Sequence, residues 1–241
     1  MWCLDLSHSR KLDLPPKEER PKLKRHVFFA ELIGTMILVA SIIGSGMMAT
    51  TLTDNGGVQL VIAMLGTVLA LALIIATLGP ISGAHFNPVV SLIAFVTKKI
   101  NAKTALFMIL TQIAGAILGA IIANVMYGHS PLERATHERT GSALFISEIV
   151  ATAGLLFIIL AMTNVDKSNG LFWAVPAWIG SAYFFTSSTA FANPAVTLAR
   201  AFSDSFAGIA LSSVGLFVLA QIIGAFVGLG ASHLVVKRNS Q

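Results

Sequence analysis

Two Asn-Pro pairs sit inside long stretches of this chain that carry no charge at all, and that placement limits the folds open to it. The first lies in Ser82-Gly83-Ala84-His85-Phe86-Asn87-Pro88-Val89-Val90-Ser91, the second in Phe191-Ala192-Asn193-Pro194-Ala195-Val196-Thr197, 106 residues further on. Taken singly, each is an ordinary helix start. Asn caps free backbone N–H groups, and Pro suits the first helical position, where an N–H has no partner anyway. The surroundings are not ordinary. No Asp, Glu, Lys or Arg occurs in the 43 residues from Asn55 to Thr97, nor from Ser168 to Ala199 or Ser205 to Val236. A membrane span takes ~20 apolar residues. The first two stretches therefore hold a span and, beyond it, a short segment headed by Asn-Pro.

Composition agrees with a membrane protein. Of the 241 residues 55% are hydrophobic and 11% charged, against about 25% charged in a soluble domain. The net charge of +5 does not indicate nucleic-acid binding, because the basic residues flank the apolar stretches. The single cysteine, Cys3, excludes an intramolecular disulfide and suggests no role. No secretory signal precedes the first apolar run, so the first span is expected to serve as the targeting element.

Six spans are expected, at about Val27–Met48, Gly57–Leu78, Thr104–Met126, Ser142–Met162, Leu171–Thr189 and Ala207–Val235. Asn87–Thr97 and Asn193–Phe202 are left over. They are too short to cross and too apolar for ordinary loops, which suggests half-helices dipping in from opposite sides. Irregular backbone at that depth is tolerated only inside protein or beside an aqueous cavity. Residues 1–26 read as a flexible cytoplasmic tail, 27–236 as the channel domain and 237–241 as a cytoplasmic C-terminal tail. With both tails inside, 13 of the 16 Lys and Arg fall on the inner side, leaving Arg134, Arg139 and Arg200 outside. The basic N-terminal tail serves either as a topology signal or as an attachment to anionic lipid.

The halves repeat, about 27–127 and 142–236. Ala30-Glu31-Leu32-Ile33-Gly34-Thr35 matches Ser147-Glu148-Ile149-Val150-Ala151-Thr152, and Gln112-Ile113-Ala114-Gly115-Ala116 matches Gln221-Ile222-Ile223-Gly224-Ala225. The offsets are 117 for Glu, 106 for Asn-Pro and 109 for Gln. Three spans per half make this an inverted repeat. Gly115, Gly119 and Ala123, like Gly224, Gly228 and Ser232, form small-residue stripes suited to close helix packing.

Two half-helices meeting tip to tip would direct two positive dipole ends at the bilayer centre and repel cations. Asn87 and Asn193 add amide donors. A water accepting from both has no lone pair left to relay a proton, whereas a neutral hydroxylic solute still passes. Glu31 and Glu148 are the only carboxylates within spans. They either couple protons in a transporter or accept hydrogen bonds from the irregular backbone before each half-helix; their symmetric placement favours the second. Gln112 and Gln221 would act similarly. His85 either lines the path or bonds to backbone. No catalytic or metal-binding motif occurs, and no cofactor is implied.

These motifs together resemble the major intrinsic proteins, the aquaporin and aquaglyceroporin family, over about residues 27–236. The resemblance implies an all-α integral membrane fold: a right-handed bundle of six transmembrane helices plus two re-entrant half-helices. It also implies a homotetramer in the inner (plasma) membrane with a pore in each protomer, passing water and small neutral solutes passively. It makes Asn87, Pro88, Val89, Asn193, Pro194 and Ala195 the pore motifs, with Val89 where the family usually has Ala. By family spacing the outer selectivity ring falls on Thr67, Ser181, Ala190 and Val196. Val196 stands where the family usually has Arg, so a small, weakly polar ring with neither aromatic nor cation is expected. That feature resembles a bacterial subgroup associated with arsenic detoxification, which implies glycerol-like polyols and neutral arsenic species as solutes. Arg200, four residues after Val196, either replaces the missing charge or pairs with Asp204. The rival readings are a secondary active transporter coupled through Glu31 and Glu148 and a non-conducting scaffold.

Overall fold

The computed structural model describes residues 25–235; the readings of Cys3, of the tail before residue 25 and of residues 236–241 lie outside them. Eight α-helices follow one another: α1 (Arg25–Leu52), α2 (Gly56–Ser82), α3 (Pro88–Val96), α4 (Ala102–Met126), α5 (Ser142–Asn164), α6 (Leu171–Phe185), α7 (Pro194–Arg200) and α8 (Leu211–Val235). A 3₁₀ turn, Ser168–Gly170, leads into α6. Among the described residues there is no strand.

Five helices, α1, α2, α4, α5 and α8, are long and apolar enough to cross a membrane. The sixth, α6, has 15 residues, about 22 Å at 1.5 Å per residue. It stops four residues before the expected Thr189. Thr186 turns to an extended conformation, and Thr189 and Ala190 lie in the left-handed region. The eighth helix begins at Leu211, not near Ala207. The segment before it is fastened elsewhere: the Ala210 N–H donates to the His137 carbonyl at 2.7 Å, and Gly208 N–H to the Ser205 carbonyl at 2.8 Å. The first helix starts at Arg25, two residues into the expected tail. The half-helices α3 and α7 end at Val96 and Arg200.

Caps set the starts. Asn55, Asn87, Asn101 and Asn193 each accept, through the side-chain oxygen, a backbone N–H from the first turn of α2, α3, α4 and α7. Pro88 and Pro194 occupy the first helical position, as their fixed φ favours. Gly83 ends α2 with φ 86°, which permits its N–H to return to the Gly79 carbonyl.

The two stripes of small residues are helix crossings. A Cβ on Gly115 or Gly119 would run into the Leu32 or Met36 carbonyl of α1, and one on Gly224 or Gly228 into the Ile149 or Ala153 carbonyl of α5. The partners repeat at the same offsets as the glutamates and glutamines. The half-helices fill the centre: Val89, Ile93, Ala195, Val196 and Ala199 are buried. The perimeter is apolar, with Phe29, Leu69 and Leu73 more than 60% exposed, as a lipid-facing surface requires.

Because carbonyl oxygen cannot move out of a helix ladder cheaply, Gly115→Val is expected to destabilise by about 1–3 kcal/mol or more. Gly215→Ala, where a new Cβ meets nothing within 4 Å, should be neutral. Thermal unfolding of the detergent-purified variants tests the contrast.

Candidate pore

The loops before α3 and α7 are not helical, yet their last residues, Phe86–Asn87 and Ala190–Asn193, lie buried. Each is held by one carboxylate. Glu31, with no exposed surface, accepts from the Ser82 hydroxyl (2.6 Å), the His85 and Phe86 N–H groups (3.0 and 2.7 Å) and the Gln112 amide (2.7 Å). Glu148, also fully buried, accepts from the Ser188 hydroxyl (2.6 Å), the Phe191 and Ala192 N–H groups (both 2.9 Å) and the Gln221 amide (2.6 Å). Each glutamine amide also donates onward into its half-helix, Gln112 to Ser91 at 2.9 Å and Gln221 to Thr197 at 2.8 Å. Turning backbone N–H groups toward a carboxylate demands an unusual backbone. Ala84 and Phe86, and 106 residues later Ala190 and Ala192, adopt φ of 46–52°.

The tips of α3 and α7 touch. The Asn87 amide donates to the Ala192 carbonyl and the Asn193 amide to the Phe86 carbonyl, both at 2.8 Å. Each side-chain oxygen caps its own helix, Asn87 at Val89 N–H (3.1 Å) and Asn193 at Ala195 N–H (3.0 Å). Val89 thus reproduces the arrangement at Ala195; the larger side chain points into the core and leaves the cap unchanged. An amide NH₂ has two hydrogens, so each Asn retains one after the cross-link.

A cavity of about 670 Å³ runs along these tips. Thr97, Lys99 and Asn169 line one end; His85, Asn87 and Asn193 follow; Thr67, Tyr183, Val196 and Arg200 line the other. His85 bonds to Ser91 through Nδ1 at 2.9 Å, and its backbone N–H is one of the two given to Glu31. At the equivalent place in the second half stands Phe191.

Two expectations at the Thr67 end need correction. Ser181 is exposed on the outer flank of α6 and lines a separate recess with Met64 and Trp173. Tyr183 faces the cavity instead, with its hydroxyl 3.1 Å from that of Thr67. Second, this ring does contain an aromatic. A cation also reaches this end of the cavity from outside those ring positions: Arg200 is buried, its Nε donates to the Ala207 carbonyl, and its guanidinium lies 3.4 Å from the centre of the Phe191 ring. It makes no pair with Asp204, whose carboxylate accepts from the Thr136 N–H (2.9 Å) and hydroxyl (3.0 Å).

Arg139 lies near the other side chains at this end, its guanidinium 5.2 Å from the Phe191 ring centre and its Nε donating to the Gly208 carbonyl at 3.0 Å. His137, in the loop between α4 and α5, has its pKa lowered by burial first and then by the Arg139 and Arg200 charges, against a weaker opposing pull from Asp204. It is therefore neutral at pH 7, and the positive charge here belongs to the arginines. Among the described residues no group of three or more His, Cys, Asp or Glu side chains could hold a metal ion.

An all-helical membrane bundle with two buried half-helices, cross-linked at their tips beside one cavity, defines a pore-type architecture. The sequence profile of the major intrinsic protein family matches residues 18–190, and the chain belongs to that family, whose members are channels and not enzymes. It is 41% identical over 208 residues to aquaglyceroporin AqpS of Rhizobium meliloti (strain 1021), covering 86% of this chain and 89% of that one. Glycerol uptake facilitator protein-like 6 of Lactiplantibacillus plantarum is 27% identical, with 83% and 93% covered. The crystal structure of the aquaglyceroporin from Plasmodium falciparum superposes with a TM-score of 0.66 over 88% of this chain and 96% of that one, at 20% identity; at that distance it shows the fold.

Replacing Glu148 by Gln puts an NH₂ among four donors. The change should cost roughly 2–3 kcal/mol for the charge-assisted bonds lost and lower the melting temperature in detergent. A variant as stable as the wild type would mean that the carboxylate does not hold the loop.

Proposed function

We propose that the chain is a passive channel for water and small uncharged solutes of the glycerol type, extending to neutral arsenic species, and that it excludes protons and ions. The observation that carries this reading is the pair of Asn87 and Asn193 amides, cross-linked to each other's loops and lining one cavity. Each keeps one N–H for a solute oxygen, so a single water can accept from both. With its lone pairs taken, that water cannot relay a proton. A polyol presents successive hydroxyls to the same donors.

Thr67, Tyr183, Ala190 and Val196 form the outer ring, and Val196 leaves room where the family usually has Arg. Arg200 supplies the positive charge from one turn further along, held by Ala207 and Phe191. The hydrogen bonds at Glu31 and Glu148 occupy both oxygens of each carboxylate, which weighs against a proton-coupled transporter. Residues 27–236 act as the channel unit of a homotetramer in the inner membrane, with both termini cytoplasmic. His85 lines the inner half of the path, and the relatives' names support glycerol-type solutes.

Stopped-flow swelling of proteoliposomes with water, glycerol and arsenite tests the reading. Flux down a gradient is expected, unchanged by uncouplers; accumulation against a gradient would refute it. Val196→Arg should restrict glycerol and arsenite more than water, and equal loss would contradict the ring. Arg200→Ala should raise cation leak and shift the glycerol-to-water ratio. If neither moves, Arg200 is not part of the gate.

A further inference from the structure

The hydroxyls of Thr67 and Tyr183 lie 3.1 Å apart, and the direction of the bond follows from counting protons. A threonine hydroxyl has one hydrogen. That of Thr67 goes to the Ala63 carbonyl of its own helix at 2.9 Å. The shared proton between the two hydroxyls must therefore come from Tyr183. Its phenol has no second hydrogen to offer, so toward the cavity it can only accept. Both residues are nearly buried, at 2% and 6% exposure, and both line the cavity. Thr67 belongs to α2 and Tyr183 to the last turn of α6, so the bond ties two separate walls together.

We propose that this bond is a bar that fixes the Tyr183 ring against α2 and sets the largest solute the outer ring admits. It also makes this end of the cavity polar in one direction, with an accepting phenol on the α6 side and the donating Arg200 guanidinium one turn beyond the ring on the α7 side. A solute that both donates and accepts fits between them. The proposal rests on the channel reading above and adds a size-determining residue pair to it.

The test compares erythritol with glycerol in proteoliposomes of the full chain. Thr67→Val and Tyr183→Phe remove the bar from opposite ends. Each should raise the erythritol-to-glycerol permeability ratio by about fivefold, the scale of one net hydrogen bond. The double variant should equal either single, because two changes that break one interaction do not add. Thr67→Ser, which keeps the hydroxyl, should restore the wild-type ratio and would serve alone if Tyr183→Phe failed to fold. An unchanged ratio in Thr67→Val, or a double variant equal to the product of the singles, would overturn the bar. A wild type that passes water but no polyol would instead refute the polyol reading. The bar would then be supported only if Thr67→Val opened the pore to glycerol, and overturned if it did not.

Discussion

Unpaired backbone polar groups in hydrocarbon cost several kcal/mol each, and this fold places two irregular loops at that depth. Everything central follows from how those loops are satisfied. Two carboxylates, Glu31 and Glu148, collect the N–H groups that a helix would have bonded internally. Their own burial is offset because serine hydroxyls and glutamine amides complete the shell. An uncompensated buried charge would be intolerable; a carboxylate with four donors is a rigid peg. The left-handed residues Ala84, Phe86, Ala190 and Ala192 are the backbone's side of that arrangement.

The repeat is close in its frame and broken where solute would pass. Ser82 and Ser188, Ser91 and Thr197, and the two glutamines recur with the same bonds. His85 in the first half corresponds to Phe191 in the second, and the difference is consequential. His85 is a polar lining group tied to Ser91. Phe191 is a platform: it stacks under Arg200 and meets Phe217 edge-on at 5.1 Å. One half of the frame thus presents an imidazole, and the other steers a guanidinium.

Much of this was legible in the residues because charge in an apolar span stands out and Asn-Pro pairs are rare there. Glu31, Glu148 and both Asn-Pro motifs are visible on those grounds alone. Ser82, Ser188, Ser91 and Thr197 were not, since a hydroxyl in such a chain is common and acquires its role only through folding. A count by family spacing lands on Ser181, two residues short of Tyr183. That count assumes a constant loop length. An error of two residues turns the side chain about 200° around the helix, from cavity to outer flank. Arg200 and Asp204 have helical spacing, but α7 ends at Arg200, so the spacing carries no meaning past that point.

The amide cross-links between Asn87 and the Ala192 carbonyl, and between Asn193 and the Phe86 carbonyl, join one half of the chain to the other. The half-helices also pack across the boundary, α3 against α8 and α7 against α4. Carriers built from inverted repeats work by rocking one unit against its twin. Here each unit has its central element wedged into the other, and any rocking would shear both links at once. Such interlocking trades the capacity to pump for a standing aperture, whose throughput depends on how molecules queue rather than on how fast the protein changes shape.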